Sequence, residues 1–256
     1  MKMIIVAAGQ GTRLRPLTND KPKCMVEYNG KAIIDYILDT AISCDVNDIA
    51  VVNGYKKDVL ENYLKERDLT FYTNKDFDKT NMVSTLFNAK EFMNDDIIIS
   101  YADIIYTKEV LEKLINSKDE FSVVVDRKWK ELWSLRMENP LEDAETLKIL
   151  DGQIKELGKK ASTYDDIEGQ YIGLIKISKS SISKVIDFYE SLNENELYDS
   201  QDYNNMYMTS FIQMIIDNLI NVKPVIIDGG WLEVDSVEDL IAYKDKSKIN
   251  YFHNII

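Results

Sequence analysis

Apolar residues recur along this chain with two periods, and the switching between them outlines a fold. Residues 2–6 form a short apolar run of the kind a fully buried strand needs, and 49–52 form a second. Between them Ile34, Ile37, Leu38 and Ala41 keep helical spacing over 34–42, and Asn29-Gly30 between 24–28 and 31–33 reads as a tight hairpin turn. A helix over 57–66 and a short strand over 69–72 complete a βαβαβ series, which implies parallel strands joined by right-handed crossovers. Asn81 stands as a cap before a helix over 81–86. The strand 96–101 runs straight into Ala102-Asp103, and a helix over 108–116 and a strand over 121–126 continue the alternation.

From Arg127 the pattern changes. Residues 127–175 carry Trp129, Trp133, clustered charges of both signs, an Asp151-Gly152 turn between two short runs, and a strand over 171–177, so the segment reads as a β-rich excursion. Helices over 180–192 and 206–220 follow, separated by a polar loop. The chain closes with a strand over 225–227, Gly229-Gly230, a strand over 231–235, and a helix opened by Ser236 with Asp239 in a capping-box-like position. No repeat, low-complexity tract or linker interrupts the 256 residues, so the expectation is one α/β domain over 1–256, a Rossmann-like mixed and mainly parallel sheet flanked by helices.

Charge narrows the partners. With 44 acidic against 31 basic residues the net charge is −13, which argues against nucleic acid or an anionic membrane, since both demand an extended basic surface. Cys24 and Cys44 form neither a disulfide framework nor a metal-ligand spacing, and no export segment or long apolar run is visible, so a cytoplasmic location is expected. The lone histidine, His253, has no nucleophile beside it, so chemistry that needs no histidine base is favoured. Nothing in composition fixes the oligomeric state, and a homodimer stays open.

Against this acidic background one stretch is basic. After the first strand, Ala7-Ala8-Gly9-Gln10-Gly11-Thr12 leads into Arg13, Arg15, Lys21 and Lys23. Glycines two apart let successive backbone N–H groups approach one anion, while an arginine fork and a mobile lysine add charge, so the loop reads as a polyphosphate cradle. It is neither a dinucleotide fingerprint, which needs a third glycine where Leu14 stands, nor a P-loop.

The run Ala-Ala-Gly-x-Gly-x-Arg-Leu-x-Pro-Leu-Thr-x-x-x-Pro-Lys resembles the signature of the nucleotidyltransferases, which join an NTP to a small phosphorylated acceptor and release pyrophosphate. Pro-Lys-Cys-Met-Val, Val-Val-Asn-Gly-Tyr and Trp-x-Glu-Val-Asp-Ser-x-Glu-Asp-Leu are similar to the cytidylyltransferase branch acting on phosphocholine, 2-aminoethylphosphonate and, in bacterial capsule modification, L-glutamine phosphate. The resemblance implies the nucleotidyltransferase fold, CTP as donor and Mg²⁺ as cofactor. It implies metal binding by Asp103 and Asp235, although the usual glycine before the first aspartate is Ala102 here, and Glu233, on the same strand face as Asp235, is the next candidate. Arg13 and Lys23 would act on the phosphates. Ala7, Ala8, Gly9, Gly11, Thr12, Gly54, Tyr55, Asn81 and Ser84 would surround the nucleotide.

For the acceptor, 127–175 offers Trp129, Trp133 and Tyr171 as aromatic faces, Arg136 and Glu168 as charges suited to a zwitterion, and Lys159 where related sugar-nucleotide enzymes have a phosphate-binding lysine. L-glutamine phosphate leads, with phosphocholine, 2-aminoethylphosphonate and sugar 1-phosphates as alternatives. A non-catalytic nucleotide-binding regulator on the same fold is the competing reading, and the intact Arg13, Lys23, Asp103 and Asp235 speak against it.

Overall fold

The computed structural model of the chain describes residues 1–244, and His253 lies outside them. Strands are β1 Lys2–Val6, β2 Asp48–Asn53, β3 Thr70–Thr73, β4 Ile97–Tyr101, β5 Ile104–Tyr106, β6 Phe121–Asp126, β7 Glu145–Leu150, β8 Gln153–Lys160, β9 Gln170–Ile177, β10 Val222–Ile227 and β11 Trp231–Glu233. Helices are α1 Ile33–Ser43, α2 Lys57–Tyr63, α3 Met82–Phe87, α4 Lys108–Ile115, α5 Trp129–Arg136, α6 Lys179–Ser191, α7 Met208–Asn218 and α8 Val237–Ala242.

Seven strands form the main sheet in the order β10-β6-β9-β4-β1-β2-β3. All its pairings are parallel except those of β9, which runs against both β4 and β6. Successive residues of β1 enter opposite layers: Met3 and Ile5 join the core under α1 and α4, while Ile4 and Val6 join the core under α3, α6 and α7. Burial on both faces is why these strands read as unbroken apolar runs.

Two differences from the sequence reading have simple causes. The strand predicted from 225 begins at Val222, and Pro224 is tolerated inside it because β10 is an edge strand. The excursion expected to be β-rich opens with a helix, α5, because Trp129, Leu132, Trp133 and Arg136 fall on one helical face and are all buried there. Its β7–β8 hairpin does turn at Asp151-Gly152, both at positive φ.

β1 and β4 are neighbours, yet the chain leaves β1 toward β2 on one side and reaches β4 on the other. That reversal opens a crevice at the carboxyl ends of the two strands, where open α/β sheets bind ligands. Gly173 shapes its wall: φ is +84° inside a bulge of β9, and a Cβ there would lie 2.5 Å from the Tyr101 ring, which comes to rest over it. A short ladder of β5 against β11 lies off the main sheet, just past Asp103.

Candidate active site

The basic loop leaves β1 and returns beneath it. Gly11 takes φ +62° because Lys23 packs against it, and a Cβ would sit 2.8 Å from that of Lys23. The buried Thr18 hydroxyl donates to Gly11 O, and the Tyr55 hydroxyl donates to the carbonyls of Thr18 and Asn19, so the loop is pinned from two sides. Gly54 lets Ala8 come close, and the Tyr55 N–H donates to Ala8 O. Gly9 is different: its φ is not positive, and a Cβ would meet nothing within 4 Å. No packing among the described residues explains its missing side chain.

Lys23 joins what the sequence separates. Its ammonium donates to Asp103 Oδ2 at 2.7 Å and to Asp235 Oδ1 at 2.6 Å, and Arg13 pairs with the other oxygen of Asp235. The Val234 N–H donates to Asp103 O, which sets the two aspartates side by side. With Glu233 they form a set of three carboxylates whose oxygens lie within 4.8 Å of one another. Asp103 Oδ1 is buried with no hydrogen-bond partner among the described residues. Hard oxygen donors around an unanswered carboxylate oxygen suit a divalent cation such as Mg²⁺.

Burial alone would push the Lys23 ammonium down, but Asp103, Asp235 and Glu233 more than reverse this and hold it protonated. The Asp235 carboxyl is buried too, yet Lys23 and Arg13 hold it below the usual carboxylate range. Glu233 goes the other way, pushed up to about 7 by burial and by the charges of Asp103 and Asp235 against the pull of Arg136.

Behind the carboxylates lies a brace. The side chain of Arg136 is only 4% exposed and binds both Glu233 and Asp239. Asp239 in turn accepts from the N–H groups of Asp235 and Ser236 while the Ser236 hydroxyl accepts from its own, the reciprocal capping box expected at α8.

Two clefts meet at this cluster. The first, about 130 Å³, is lined by Val6, Ala7, Ala8, Gly9, Lys23, Cys24, Phe77, Thr80, Asn81, Met82, Thr85, Tyr101, Ala102 and Asp103. The second, about 230 Å³, is lined by Arg13, Met82, Tyr101, Trp133, Asp143, Glu145, Gln170, Tyr171, Ile172, Gly173, Tyr207, Met208, Thr209, Trp231, Glu233 and Asp235. Met82 and Tyr101 belong to both, so they form the partition. Trp231 and Glu233 reach the second cleft, as alternation along β11 requires, and Asp235 reaches it from the loop beyond, since the strand expected over 231–235 ends at Glu233.

Of the residues expected around a nucleotide, Ala7, Ala8, Gly9, Lys23, Asn81 and Asp103 line the first cleft, while Gly11, Thr12, Gly54 and Tyr55 shape the loop around it. Ser84 does not line it: its hydroxyl is directed at Tyr189, and the next residue, Thr85, whose hydroxyl accepts from the buried Asn74 amide, takes the lining position. Phe77, Thr80 and Thr85 are lining residues that no motif announced.

The acceptor expectation divides more sharply. Trp133 and Tyr171 line the second cleft, but Trp129, Arg136, Lys159 and Glu168 do not. Trp129 is buried edge-on against Trp133. Arg136 is consumed in the brace. Lys159 is exposed and pairs with Glu156 three residues earlier on the same strand, and Glu168 accepts the Ile149 N–H. The residues that replace them, Glu145, Gln170 and Thr209, come from β7, β9 and α7 and share no local pattern.

Among the described residues no helix is long and apolar enough to cross a membrane. The chain is similar to CTP:phosphoglutamine cytidylyltransferase of Campylobacter jejuni, 55% identical over 253 residues that cover 96% of this chain and 100% of that one. It is also similar to choline-phosphate cytidylyltransferase of Streptococcus pneumoniae, 28% identical over 224 residues, 80% of this chain and 96% of that one. Among solved structures, the CTP:phosphocholine cytidylyltransferase of S. pneumoniae (TM-score 0.69, 22% identity, 95% and 97% covered) shares its fold. So does the inositol-1-phosphate CTP transferase of T. maritima (TM-score 0.72, 19% identity, 96% of each chain). Residues 3–162, more than half of the chain, match the MobA-like NTP transferase domain, and the chain belongs to that family of nucleotidyltransferases.

Proposed function

We propose that this chain transfers CMP from CTP to L-glutamine phosphate and releases pyrophosphate. The observation that carries the reading is near-full-length identity of 55% to an enzyme of that name, in a chain that keeps a cation and three carboxylates at the meeting point of two clefts.

The first cleft takes the nucleotide. Gly9, with no Cβ, lets the triphosphate lie against the backbone, and Arg13, 69% exposed beside the cluster, is free to swing from Asp235 to the β and γ phosphates. The second cleft takes the acceptor, so its phosphate meets the α-phosphorus beside Met82 and Tyr101. That phosphate oxygen is already anionic, and attack in line with the departing pyrophosphate needs no general base. The chain's part is to position the two reactants and to place positive charge where negative charge concentrates. Lys23, kept protonated by its carboxylate neighbours, supplies one such charge to the α-phosphate. Asp103 and Asp235, with Glu233 beside them, would hold Mg²⁺, which when bound neutralises phosphate oxygens.

The test is pyrophosphate release by the purified chain with Mg²⁺, pairing CTP, UTP, ATP or dTTP with L-glutamine phosphate, phosphocholine, 2-aminoethylphosphonate or a sugar 1-phosphate. CTP with L-glutamine phosphate should give the highest kcat/KM. Phosphocholine equal or better would overturn the acceptor assignment, and CTP binding without turnover on any acceptor would favour a regulator.

A further inference from the structure

The second cleft holds more negative charge than the chain itself answers. Glu233 has Arg136, and Asp235 has Lys23 and Arg13. Glu145 and Asp143 form no ion pair among the described residues, and Arg13, already at Asp235, is the one cation in the described lining. Asp143 sits at the exposed rim, one oxygen held by the Trp133 indole N–H at 3.1 Å.

Glu145 is more deeply set and firmly placed. Its N–H donates to Gln170 Oε1 at 3.1 Å, and the Gln170 amide returns a bond to its carbonyl at 2.6 Å. Thr209 reaches it because Gly158, at φ +88°, leaves room: a Cβ there would lie 2.5 Å from that of Thr209. The same cleft contains the buried Tyr171 hydroxyl, which interacts with the Tyr101 hydroxyl and makes no other hydrogen bond among the described residues. A preorganised carboxylate beside a hydroxyl with a lone pair to spare is what a ligand donor would satisfy.

We propose that Glu145, with Asp143 at the rim and the Tyr171 hydroxyl, forms a subsite for an N–H-bearing ammonium group of the phosphorylated acceptor, and that this ammonium is the group the cleft selects. The inference rests on the functional reading above, in that it takes the second cleft to be the acceptor's. Burial and the neighbouring Asp143 push the Glu145 carboxyl up to about 7, and an ammonium would bring it back down.

The alternative basis for selection, an acceptor carboxylate held by cations, lacks its cations. Arg127 pairs with Asp228, Lys130 lies over the Tyr164 ring, and Arg136 is buried in the brace. Trp129 packs outside the lining, but Trp133, Tyr171, Tyr207 and Trp231 do line the cleft and offer faces to any ammonium, so what separates one ammonium from another here is its N–H groups. Carboxylate, hydroxyl and amide acceptors favour a primary ammonium, which has N–H groups to donate, over a trimethylated one, which has none.

The experiment compares L-glutamine phosphate with two analogues, one lacking the α-ammonium and one lacking the α-carboxylate, and with phosphocholine, in CTP-dependent pyrophosphate release. Loss of the ammonium should lower kcat/KM about a hundredfold or more, and loss of the carboxylate less than about tenfold. In Glu145→Gln the ratio between ammonium-bearing and ammonium-free acceptors should collapse by about tenfold or more, mainly through KM. Tyr171→Phe, which removes one oxygen from a packed ring, should shrink the same ratio with the fold intact. A wild-type chain indifferent to the ammonium, or a ratio unchanged in Glu145→Gln, would overturn the inference. If L-glutamine phosphate is itself no substrate, the functional reading fails. The subsite is then judged on 2-aminoethylphosphonate against ethylphosphonate by turnover and by calorimetric binding, where no ammonium preference would overturn it and a preference lost in Glu145→Gln would support it.

Discussion

The first cleft draws Val6, Ala7, Ala8, Gly9, Lys23 and Cys24 from one stretch of chain and closes its wall with residues of 77–85 and 101–103, whereas the second collects its lining from the loop, α3, β4, α5, β7, β9, α7 and β11. The basic side of the first is therefore a local object: a strand, a glycine turn and the cations that follow it already suit a phosphate before any tertiary contact is known. The second exists only because a reversed strand, β9, brings Tyr171 and Gly173 against Tyr101, and because α7 docks on the hairpin through Gly158 and Thr209. On the proposed reading, chemistry that must be shared among nucleotidyltransferases falls to the local half and discrimination among acceptors to the assembled half.

The largest effect is expected where the halves join. Asp103→Asn should reduce turnover about a hundredfold or more, some 2.7–4 kcal/mol, because it removes a metal-suited carboxylate and a partner of Lys23 together. Lys23→Ala should cost a similar amount. Folding should survive in Asp103→Asn, since Asp235 still pairs with Lys23, and circular dichroism melts alongside kinetics would separate the two readouts. Retained metal-dependent turnover would remove Asp103 from the chemistry and leave Glu233 and Asp235 as the centre.

Gly9→Ala tests the local half by itself. Its φ and its surroundings accept a Cβ without strain, so the melting temperature should hold or rise slightly, as expected when glycine gives way to alanine at a compatible site. The added methyl nevertheless stands where the triphosphate should lie, and KM for CTP should rise about tenfold or more. The equivalent change at Gly11 would mix both effects, because a Cβ there meets Lys23. Unchanged CTP kinetics in Gly9→Ala would mean that the phosphates take another path across the crevice.

How much of this was legible in the chain follows the same division. The alternation of apolar runs and helical stripes gave the elements and the parallel core, because each depends on neighbours a few positions away. Asn81 as a cap, the Asn29-Gly30 turn and the Ser236–Asp239 box were readable for the same reason. Strand direction in β9 was not, since burial on both faces erases the period that would mark it. The place of Arg136 in the brace, outside the second cleft's lining, was not legible because an arginine beside tryptophans reads alike whether it faces a ligand or braces Glu233 and Asp239. Only the distance closed by folding, 97 residues to Glu233, decides between them.

A smaller effect probes the assembled half through stability. Glu145 titrates near 7 in the folded chain, raised from 4.5 by burial and Asp143, with Glu233 and Asp199 adding to the shift and Thr209 opposing it. Between those values the folded state holds the proton more tightly than the unfolded one, so this group's contribution to stability falls as pH rises through the window and is lowest above about 7. Glu145→Gln should therefore match the wild type near about pH 4.5 and exceed it by roughly 1–3 kcal/mol near about pH 8 in urea melts. An offset equal at both pH values would indicate repacking, and no offset at all would mean that the charge is solvated.

The smallest expected effect is the sharpest test of geometry against position in sequence. Lys159 stands where related sugar-nucleotide enzymes place a lysine on the acceptor phosphate, yet here its side chain is 60% exposed, bound to Glu156 at 3.0 Å and outside the lining of the second cleft. An exposed pair of this kind contributes about 0–1 kcal/mol, so Lys159→Ala should melt within a degree or two of the wild type. With no contact to either cleft it should also leave kcat/KM for the acceptor within about twofold. A loss of about a hundredfold on acceptor KM alone would show that the β7–β8 hairpin swings inward when substrate binds, and the second cleft would then have to be redrawn with Lys159 inside it.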